Sequence, residues 1–298
     1  FCTIDSNKGI VSVPDFRLNK ISEIVNPKNI VPSTIEFVDI AGLVKGASRG
    51  EGLGNQFLSH IRETQAIIHV LRCFENENIT HVHNTIDPIQ DLEIVETELL
   101  LADIETVTNS KLKTERIAKS GDKESKEKYL NICQLEKELN TGIQGRDSSI
   151  VEERRVYFKD LQLITMKPCL YLANVEEEYK KNVHLKRLEE YAKSKQLNVL
   201  TICNQFEAEI AELDKKEGLL FLKNLGMKEP GTNSLIRKSY EMLNLLTFFS
   251  AEPKEVRAWT VKQGVTAIKA AREIHTDFEK GFISAETLAY EDFIEYGG

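Results

Sequence analysis

The chain has 298 residues, of which 41% are hydrophobic and 29% charged, and its formal net charge is −8. These values are typical of a globular protein with room for two domains, and they argue against a wholly basic nucleic-acid-binding protein. No apolar run approaches the roughly 20 residues that span a bilayer. The five cysteines form no Cys-x-x-Cys pair, which argues against a zinc ribbon and a disulfide framework. We therefore expect a cytoplasmic protein without a membrane segment.

Five short apolar runs recur along the first two thirds of the chain, with helical patterns between them. The predicted strands cover residues 9–13, 35–40, 66–74, 168–175 and 198–203, and the helices cover 55–64 and 185–195. Mostly unalternating apolar strands separated by helices are typical of a parallel sheet that is covered on both faces. Ligands of such sheets bind beyond the carboxyl ends of the strands.

The second of these strands ends in Asp39-Ile40-Ala41-Gly42. A carboxylate at a strand end can hold Mg²⁺ through its water shell, and glycine lets a backbone N–H approach a terminal phosphate closely. Position 43 is Leu, whereas a nucleotide hydrolase often has Gln there to orient the attacking water. An ordinary strand and turn is the competing interpretation. Glycines at 46, 50, 52 and 54 favour a mobile loop or close approach to a ligand.

The strand pattern stops between about residues 92 and 160. Two apolar stripes at helical spacing, separated by Ser-Gly-Asp at 120–122, predict an antiparallel helical hairpin inserted into the sheet domain. The middle of this hairpin carries more cations than anions. The cations are Lys111, Lys113, Arg116, Lys119, Lys123, Lys126 and Lys128. A solvated surface explains this excess, and contact with RNA or a ribosome is the functional alternative.

The fourth predicted strand ends in Asn174-Val175-Glu176-Glu177. GTP-binding proteins of this general plan have Asn-Lys-x-Asp there, and the Asp accepts hydrogen bonds from guanine. Here Val175 replaces the Lys and Glu177 replaces the Asp. The extra methylene of Glu177 moves the carboxylate, and adenine has neither of the guanine donors. The segment therefore leans away from strict guanine selection, although a strand end with a polar turn is the plain alternative.

After about residue 245 the composition changes to that of a small α+β module. Strands are predicted at 248–249 and 256–261, and Thr266 is a candidate cap for a helix over 267–275. A further strand is predicted over 281–290. No closing strand follows before Gly298, so we expect an incomplete module.

Taken together, these segments closely resemble the YchF/Obg-like ATPase family. The resemblance runs along the whole chain and rests on residues 1–4, 39–48 with the glycine loop, 174–177, 255–260 and 275–282. It implies an α/β fold: a P-loop NTPase (Ras-like) parallel-sheet domain with an inserted α-helical hairpin and a carboxyl-terminal TGS domain of β-grasp type. The implied boundaries are 1–91 and 161–244 for the NTPase domain, 92–160 for the helical insertion and 245–298 for the TGS domain.

The resemblance also implies a function and a set of site residues. Members of the family hydrolyse ATP with Mg²⁺, generally in preference to GTP, and associate with ribosomes. The matches are Thr3 to a threonine that coordinates Mg²⁺, Asp39 and Gly42 to the Mg²⁺ and γ-phosphate corner, and Asn174, Val175 and Glu177 to the base-recognition segment. Val175 is expected to contact adenine chiefly through its backbone.

His81 matches the histidine to which the family assigns help in hydrolysis, in place of the missing glutamine. Imidazole can orient or deprotonate a water near neutral pH, so this chemistry is reasonable. His83, two residues further on, has no such match. By itself, a lone histidine in a polar loop is more often a surface residue.

The clearest departure from the family is the absence of a G-x-x-x-x-G-K-[ST] phosphate loop in this sequence. The family has it upstream of the position that matches Phe1, so we expect roughly 30 residues, about one supersecondary unit, to precede this sequence. Three functions stay open. They are a Mg²⁺-dependent ATPase switch on the ribosome, an Obg-like GTPase in which Glu177 reads guanine through a water, and a non-catalytic ribosome or RNA adaptor that uses the hairpin and the TGS module.

Overall fold

A computed structural model describes residues 7–40, 53–76, 79, 85–177 and 179–298, without the side chains of 53–56, 180 and 215. These residues form two compact units. The first spans Val38–Glu212, and the second combines Lys8–Phe37 with Leu213–Gly298. No helix in the described ranges is long and apolar enough to cross a membrane.

The strands and helices are numbered in chain order. The strands are β1 (Asn7–Ser12), β2 (Asn29–Val31), β3 (Thr34–Asp39), β4 (Ile67–Arg72), β5 (Cys169–Asn174), β6 (Val199–Ile202), β7 (Leu245–Ala251) and β8 (Glu255–Lys262). The helices are α1 (Phe16–Val25), α2 (Leu53–Glu63), α3 (Pro88–Ala118), α4 (Lys123–Asn140), α5 (Ser149–Arg154), α6 (Val183–Ser194), α7 (Asn204–Glu212), α8 (Lys215–Asn224), α9 (Gly231–Met242), α10 (Ala267–Ile274), α11 (Thr276–Lys280) and α12 (Tyr290–Tyr296).

The first unit contains a parallel sheet in the order β4-β5-β6, which confirms the predicted parallel arrangement for these strands. The central strand β5 is buried along five of its six residues, as expected when both faces are covered. Tyr171 of β5 packs into one core with Leu92 of α3 and Leu188 of α6. The register pairs Arg72 with Asn174, so the carboxyl ends of the strands meet at one edge.

The first two predicted strands pair with each other as a separate two-stranded sheet, β1-β3. The N–H of Val13 donates to the carbonyl oxygen of Ser33 at 2.8 Å, and Gly9 lies opposite Phe37. These pairs run in opposite chain directions, so the two strands are antiparallel. In the described residues the predicted parallel sheet is therefore wrong for these strands. Their exposure varies along β3 instead of staying low, which is typical of a sheet with one solvated face.

The predicted helical hairpin is confirmed by α3 and α4, and the break falls at the predicted Ser-Gly-Asp. Gly121 has φ +100°, which an L side chain adopts only with strain, and Asp122 caps α4 by accepting from the Ser125 N–H at 2.7 Å. Val107 of α3 and Leu135 of α4 are fully buried in the core between the helices. Helical periodicity and capping residues thus account for this element.

Buried Asp103 fastens α3 to the segment that leads into β5. Its carboxylate accepts from the backbone N–H groups of Ile164 (2.8 Å) and Thr165 (2.7 Å) and from the Thr165 hydroxyl (2.7 Å). Burial raises the pKa of Asp103, although these three donors favour the ionised form. Gly145 is needed beside them, because a Cβ there would lie 2.7 Å from Met166 Cγ.

His69 of β4 is buried in the sheet core, 7% exposed, and no described group bonds its Nε2 atom. Its ring meets the Tyr171 ring edge-to-face at 5.7 Å between centroids. The Tyr171 hydroxyl donates to Glu96, which also pairs with Arg146. Burial, followed by the charge of Arg146, lowers the pKa of His69 from 6.5 to about 4.

Because His69 is buried, we expect the folded protein to lose stability in acid. The unfolded chain binds a proton at His69 near pH 6.5 and the folded chain only near pH 4, so the free energy of unfolding falls as the pH drops through this window. The fall due to this group is on the order of 3 kcal/mol. His69→Phe should remove it, as urea unfolding at about pH 7 and about pH 4.5 would measure. The exposed control His275→Phe should keep the wild-type dependence, and an unchanged dependence in His69→Phe would refute the assignment.

The second unit contains the mixed sheet β2-β8-β7, in which β7 and β8 form an antiparallel hairpin and β2 runs parallel to β8. Leu18 and Ile21 of α1 pack on Val256 and Ala258 of β8. The two predicted strands and the predicted helix are confirmed here. Thr266 stands at the cap position of α10 but makes no side-chain capping hydrogen bond.

The strand predicted over residues 281–290 is wrong. Residues 282–289 have no regular structure, and Tyr290 begins α12. Ile283 is 95% exposed and Leu288 is 66% exposed, so these apolar residues of the predicted strand lie outside the core. A strand needs a neighbour to satisfy its backbone groups, and no strand in the described part of the chain lies beside it. The domain boundaries expected at 91, 160 and 244 stay predictions.

Candidate functional site

The carboxyl ends of β4, β5 and β6 form an edge that is tied together by hydrogen bonds beyond the strands. The Cys73 N–H donates to the Asn174 carbonyl oxygen at 2.8 Å, and the Val175 N–H donates to Ile202 at 3.0 Å. The side-chain oxygen of Asn174 accepts from the Asn204 N–H at 3.2 Å. Asn174 therefore holds the start of α7 with its oxygen, and no hydrogen bond from its NH₂ group to a described residue competes with donation to a ligand.

Val175 and Glu177 follow Asn174 with opposite exposures. Val175 is 3% exposed and its side chain packs in the core with Ala173 and Leu185. Since its N–H is bonded to Ile202, the carbonyl oxygen is the backbone group of Val175 that remains for a ligand. Glu177 lies in an exposed turn, where its carboxylate can reach a bound molecule.

Asn182 links the loops that follow β4 and β5. Its side-chain oxygen accepts from the Leu185 N–H at 2.8 Å and so caps α6, while its NH₂ group donates to the Cys73 carbonyl oxygen. Sequence reasoning missed this residue. The position of an Asn before an apolar helical stripe signals the cap, but no local pattern signals the bond to Cys73, 109 residues away.

Asp39 is the last residue of β3, and it is exposed. The next residue, Ile40, packs in a cluster with Leu58 and Ile61 of α2 and with Ile67 of β4. The chain thus turns from an exposed carboxylate directly into the core beside α2. No hydrogen bond or ion pair among the described residues joins Asp39 to Asn174.

The described residues are compatible with binding of a Mg²⁺ ion. No group of three or more His, Cys, Asp or Glu residues within the described ranges could hold a metal by itself. Mg²⁺ usually keeps several waters and is bound by one or two carboxylates together with substrate phosphates. An exposed oxygen ligand such as Asp39 fits that mode of binding.

The carboxyl end of α2 is fixed firmly to its surroundings. The ammonium group of Lys167 donates to the carbonyl oxygens of Ile61 (2.8 Å), Arg62 (2.7 Å) and Thr64. The Arg62 side chain donates to the Thr106 hydroxyl of α3 at 3.0 Å. Burial lowers the pKa of Lys167, and the charge of Arg62 acts in the same direction. The helix that follows the glycine loop is therefore anchored to the hairpin at its far end.

The other predicted site residues lie outside the described residues. These are Thr3, Gly42 and His81, together with most of the glycine loop. The structure places Asn174, Val175 and Glu177 together at the sheet edge and Asp39 at the end of a neighbouring segment of the same unit. The roles given to all seven residues stay predictions.

Two family models match the chain. One, described as a 50S ribosome-binding GTPase, covers residues 1–126. The other is the carboxyl-terminal YchF-GTPase model, described as a protein of unknown function (DUF933), and it covers residues 245–298.

Similar proteins match along the full length of the chain. The Ribosome-binding ATPase YchF of Haemophilus influenzae is 50% identical over 299 residues, which cover 100% of this chain and 82% of the relative. The Bacillus subtilis protein of the same name is 48% identical over 302 residues, with the same coverage. The solved structure of the Schizosaccharomyces pombe YchF GTPase has a TM-score of 0.88 and 34% identity, and it covers 100% of this chain and 81% of that one.

Proposed function

The chain belongs to the YchF family, and we propose that it is a Mg²⁺-dependent ATPase that acts as a nucleotide-dependent switch on the ribosome. The arrangement of Asn174 and Val175 at the carboxyl edge of β5 is the observation that carries this proposal. The proposed action on the ribosome is supported by the relatives, which are named ribosome-binding ATPases. Since ribosomes are its proposed partner, we propose that the protein is localised in the cytoplasm.

The free groups at the sheet edge favour adenine over guanine. Both purines offer the acceptor N7, which the NH₂ group of Asn174 can bind. At the neighbouring position adenine has an amino donor, whereas guanine has the acceptor O6. The carbonyl oxygen of Val175 accepts a hydrogen bond from the adenine amino group and repels guanine O6. The N–H of Val175 could have donated to O6, but it donates to the carbonyl oxygen of Ile202 instead.

Asp39 would hold Mg²⁺, with Thr3 and Gly42 completing the phosphate side of the site. The ion would neutralise charge on the β- and γ-phosphates and orient them for attack by water. The carboxylate of Asp39 is exposed at a strand end, where it would be available to hold the ion. Leu43 has no hydrogen-bonding atom, and we assign the handling of the water to His81.

Release of inorganic phosphate from ATP by the native protein tests this function. We expect slow release that stops when Mg²⁺ is chelated and that is weaker with GTP. Ribosome binding without any release of phosphate would instead favour a non-catalytic adaptor.

The helical hairpin is the proposed ribosome contact, because some of its exposed cations have no ion-pair partner among the described residues. Lys111, Lys119 and Lys128 pair with Glu136, Glu115 and Asp160. Four exposed cations form no ion pair with any described residue. They are Lys113, Arg116, Lys123 and Lys126. Unpaired cations are free to displace counterions from ribosomal RNA.

Reversing two of these charges, Lys113→Glu with Arg116→Glu, should weaken co-sedimentation with ribosomes by about tenfold or more at low salt. If the contact is to RNA phosphates, the slope of log affinity against log salt should fall by about 2. The matched control reverses exposed Lys186 and Lys193 on α6 and should keep wild-type binding. Equal binding by both variants would identify the hairpin charges as a solvated surface.

A further inference from the structure

Asp39 shares one face of β3 with two apolar residues. Successive side chains of a strand point to opposite sides, so Ile35, Phe37 and Asp39 lie on the same side. Ile35 and Phe37 are half-buried, whereas Glu36 between them is exposed. The proposed metal ligand is therefore the last member of a row whose other members pack in a core.

This row packs in a cluster with helix α9. Ile35 and Phe37 belong to one hydrophobic cluster with Ile236 and Tyr240, which are buried and lie about one turn apart on α9. The residue of β1 opposite Phe37 is Gly9, which has no side chain to place beside the ring. The position of Phe37 therefore depends on the cluster around α9.

Tyr240 is itself held by the hairpin of β7 and β8. Its hydroxyl group donates to the hydroxyl oxygen of Thr260 at 2.6 Å and lies 3.1 Å from that of Thr247. These two threonines are paired in the register of the hairpin, so Tyr240 bridges both strands. Hydrogen bonds fix a direction, whereas the hydrophobic effect alone does not. The cluster that holds Phe37 is thus anchored to a hydrogen-bonded hairpin.

Asp39 is held on both sides along the chain. Phe37 packs in the cluster around α9, and Ile40, the residue after Asp39, packs with Leu58 and Ile61 of α2. Two residues of a strand span only about 7 Å, so the backbone at Asp39 has little freedom. The carboxylate of Asp39 is exposed, and its direction therefore depends on the backbone that carries it.

We propose that Phe37 is a positioning residue for Mg²⁺, which holds the end of β3 so that the carboxylate of Asp39 points at the ion of a bound nucleotide. The inference rests on the proposed function, because Asp39 is assigned as a metal ligand there. Phe37 has no role in base recognition. Loss of its ring should therefore weaken only the part of ATP binding that depends on Mg²⁺.

The test compares affinities for ATP, with Mg²⁺ and with EDTA, in the native protein and in Phe37→Leu, Asp39→Asn and the double variant. Phe37→Leu should weaken binding about 3- to 10-fold with Mg²⁺, since residues of one network couple by amounts of this order, and by less than about twofold with EDTA. The double variant should bind no more weakly than Asp39→Asn alone. The control Phe249→Leu loses a ring from the cluster between α1 and β8 and should bind normally.

Hydrogen exchange provides a second measurement if thermal unfolding and circular dichroism show that Phe37→Leu is not folded. Coupling between two sites is reciprocal, so saturating ATP with Mg²⁺ should slow exchange of the backbone amides of Ile236 and Tyr240 about threefold or more, relative to saturating ATP with EDTA. The amides of Leu18 and Ile21 on α1 are the internal reference and should not change. In Asp39→Asn the difference at α9 should disappear.

The outcomes separate this inference from the proposed function. Four results would overturn the role of Phe37: normal binding by Phe37→Leu with Mg²⁺, an equal loss with Mg²⁺ and EDTA, an equal loss in Phe249→Leu, or losses that add in the double variant. Equal exchange at α9 under both conditions would also overturn it. Normal Mg²⁺-dependent binding by Asp39→Asn would instead overturn the metal assignment on which the inference rests.

Discussion

His81→Ala should slow ATP hydrolysis by about 100-fold or more near neutral pH and leave the affinity for ATP within about twofold. A positioned general base typically contributes 10² to 10⁴ in rate, and Leu43 offers no group that could take over. Binding should survive because the proposed contacts to the base, to Mg²⁺ and to the phosphates come from other residues, which are Asn174, Val175, Asp39, Thr3 and Gly42. A change confined to kcat would mark a group that acts in the transition state.

Single-turnover phosphate release, together with the binding of a fluorescent ATP analogue, separates the two effects. His83→Ala is the matched control, since His83 is only two residues further along the sequence and has no proposed role. If both variants turn over like the wild type, the water is handled by another group. If both variants lose turnover equally, the loss does not come from one particular imidazole and the assignment to His81 is refuted.

Asp39→Asn should weaken binding of ATP in the presence of Mg²⁺ by about 10- to 100-fold. The change keeps the size of the side chain but removes the charge, and hydrogen bonds to charged groups contribute roughly 1.5 to 3 kcal/mol. Without Mg²⁺, wild type and variant should bind ATP equally weakly, because Asp39 is proposed to affect ATP binding only by holding the ion.

Isothermal titration of ATP with Mg²⁺ and with EDTA measures this difference. The control is Glu36→Gln on the same strand, an exposed carboxylate that pairs with Lys8. It should bind like the wild type under both conditions. An Asp39→Asn variant that loses affinity equally with and without Mg²⁺ would show a structural role at the end of β3 and would refute the role in metal binding.

The elements with long or unbroken apolar patterns could be predicted from the sequence. The hairpin was predictable because apolar residues recur at helical spacing and because Gly121 and Asp122 provide turn and cap chemistry. The strands β4 and β5 were predictable as parallel because they are apolar on both faces.

Elements that depend on distant partners were not predictable. Strand β2 has only three residues and exists through pairing with β8, more than 220 residues later in the sequence. The antiparallel pairing of β1 with β3 spans an intervening helix and strand, which no turn motif indicates. The segment over 282–289 shows the opposite failure, since an apolar pattern without a neighbouring strand forms no strand.

In the candidate site, too, some features could be predicted from the sequence and others could not. The position of Asn174 at a strand end could be read from the sequence, because its neighbours form an apolar run. Its bond to Asn204 could not, and neither could the bond between Asn182 and Cys73. These side chains bind backbone groups in polar loops, where composition carries no periodic signal.

The affinities of the native protein for ATP and GTP, with and without Glu177→Asp, test the proposed base recognition most directly. We predict that the native protein binds ATP at least about tenfold more tightly than GTP, since one well-placed base contact discriminates by roughly 1 to 3 kcal/mol. Glu177→Asp should reduce the difference between the affinities for ATP and GTP, because it restores the carboxylate position that suits guanine. Tighter binding of GTP than of ATP by the native protein would contradict the adenine site at Asn174 and Val175.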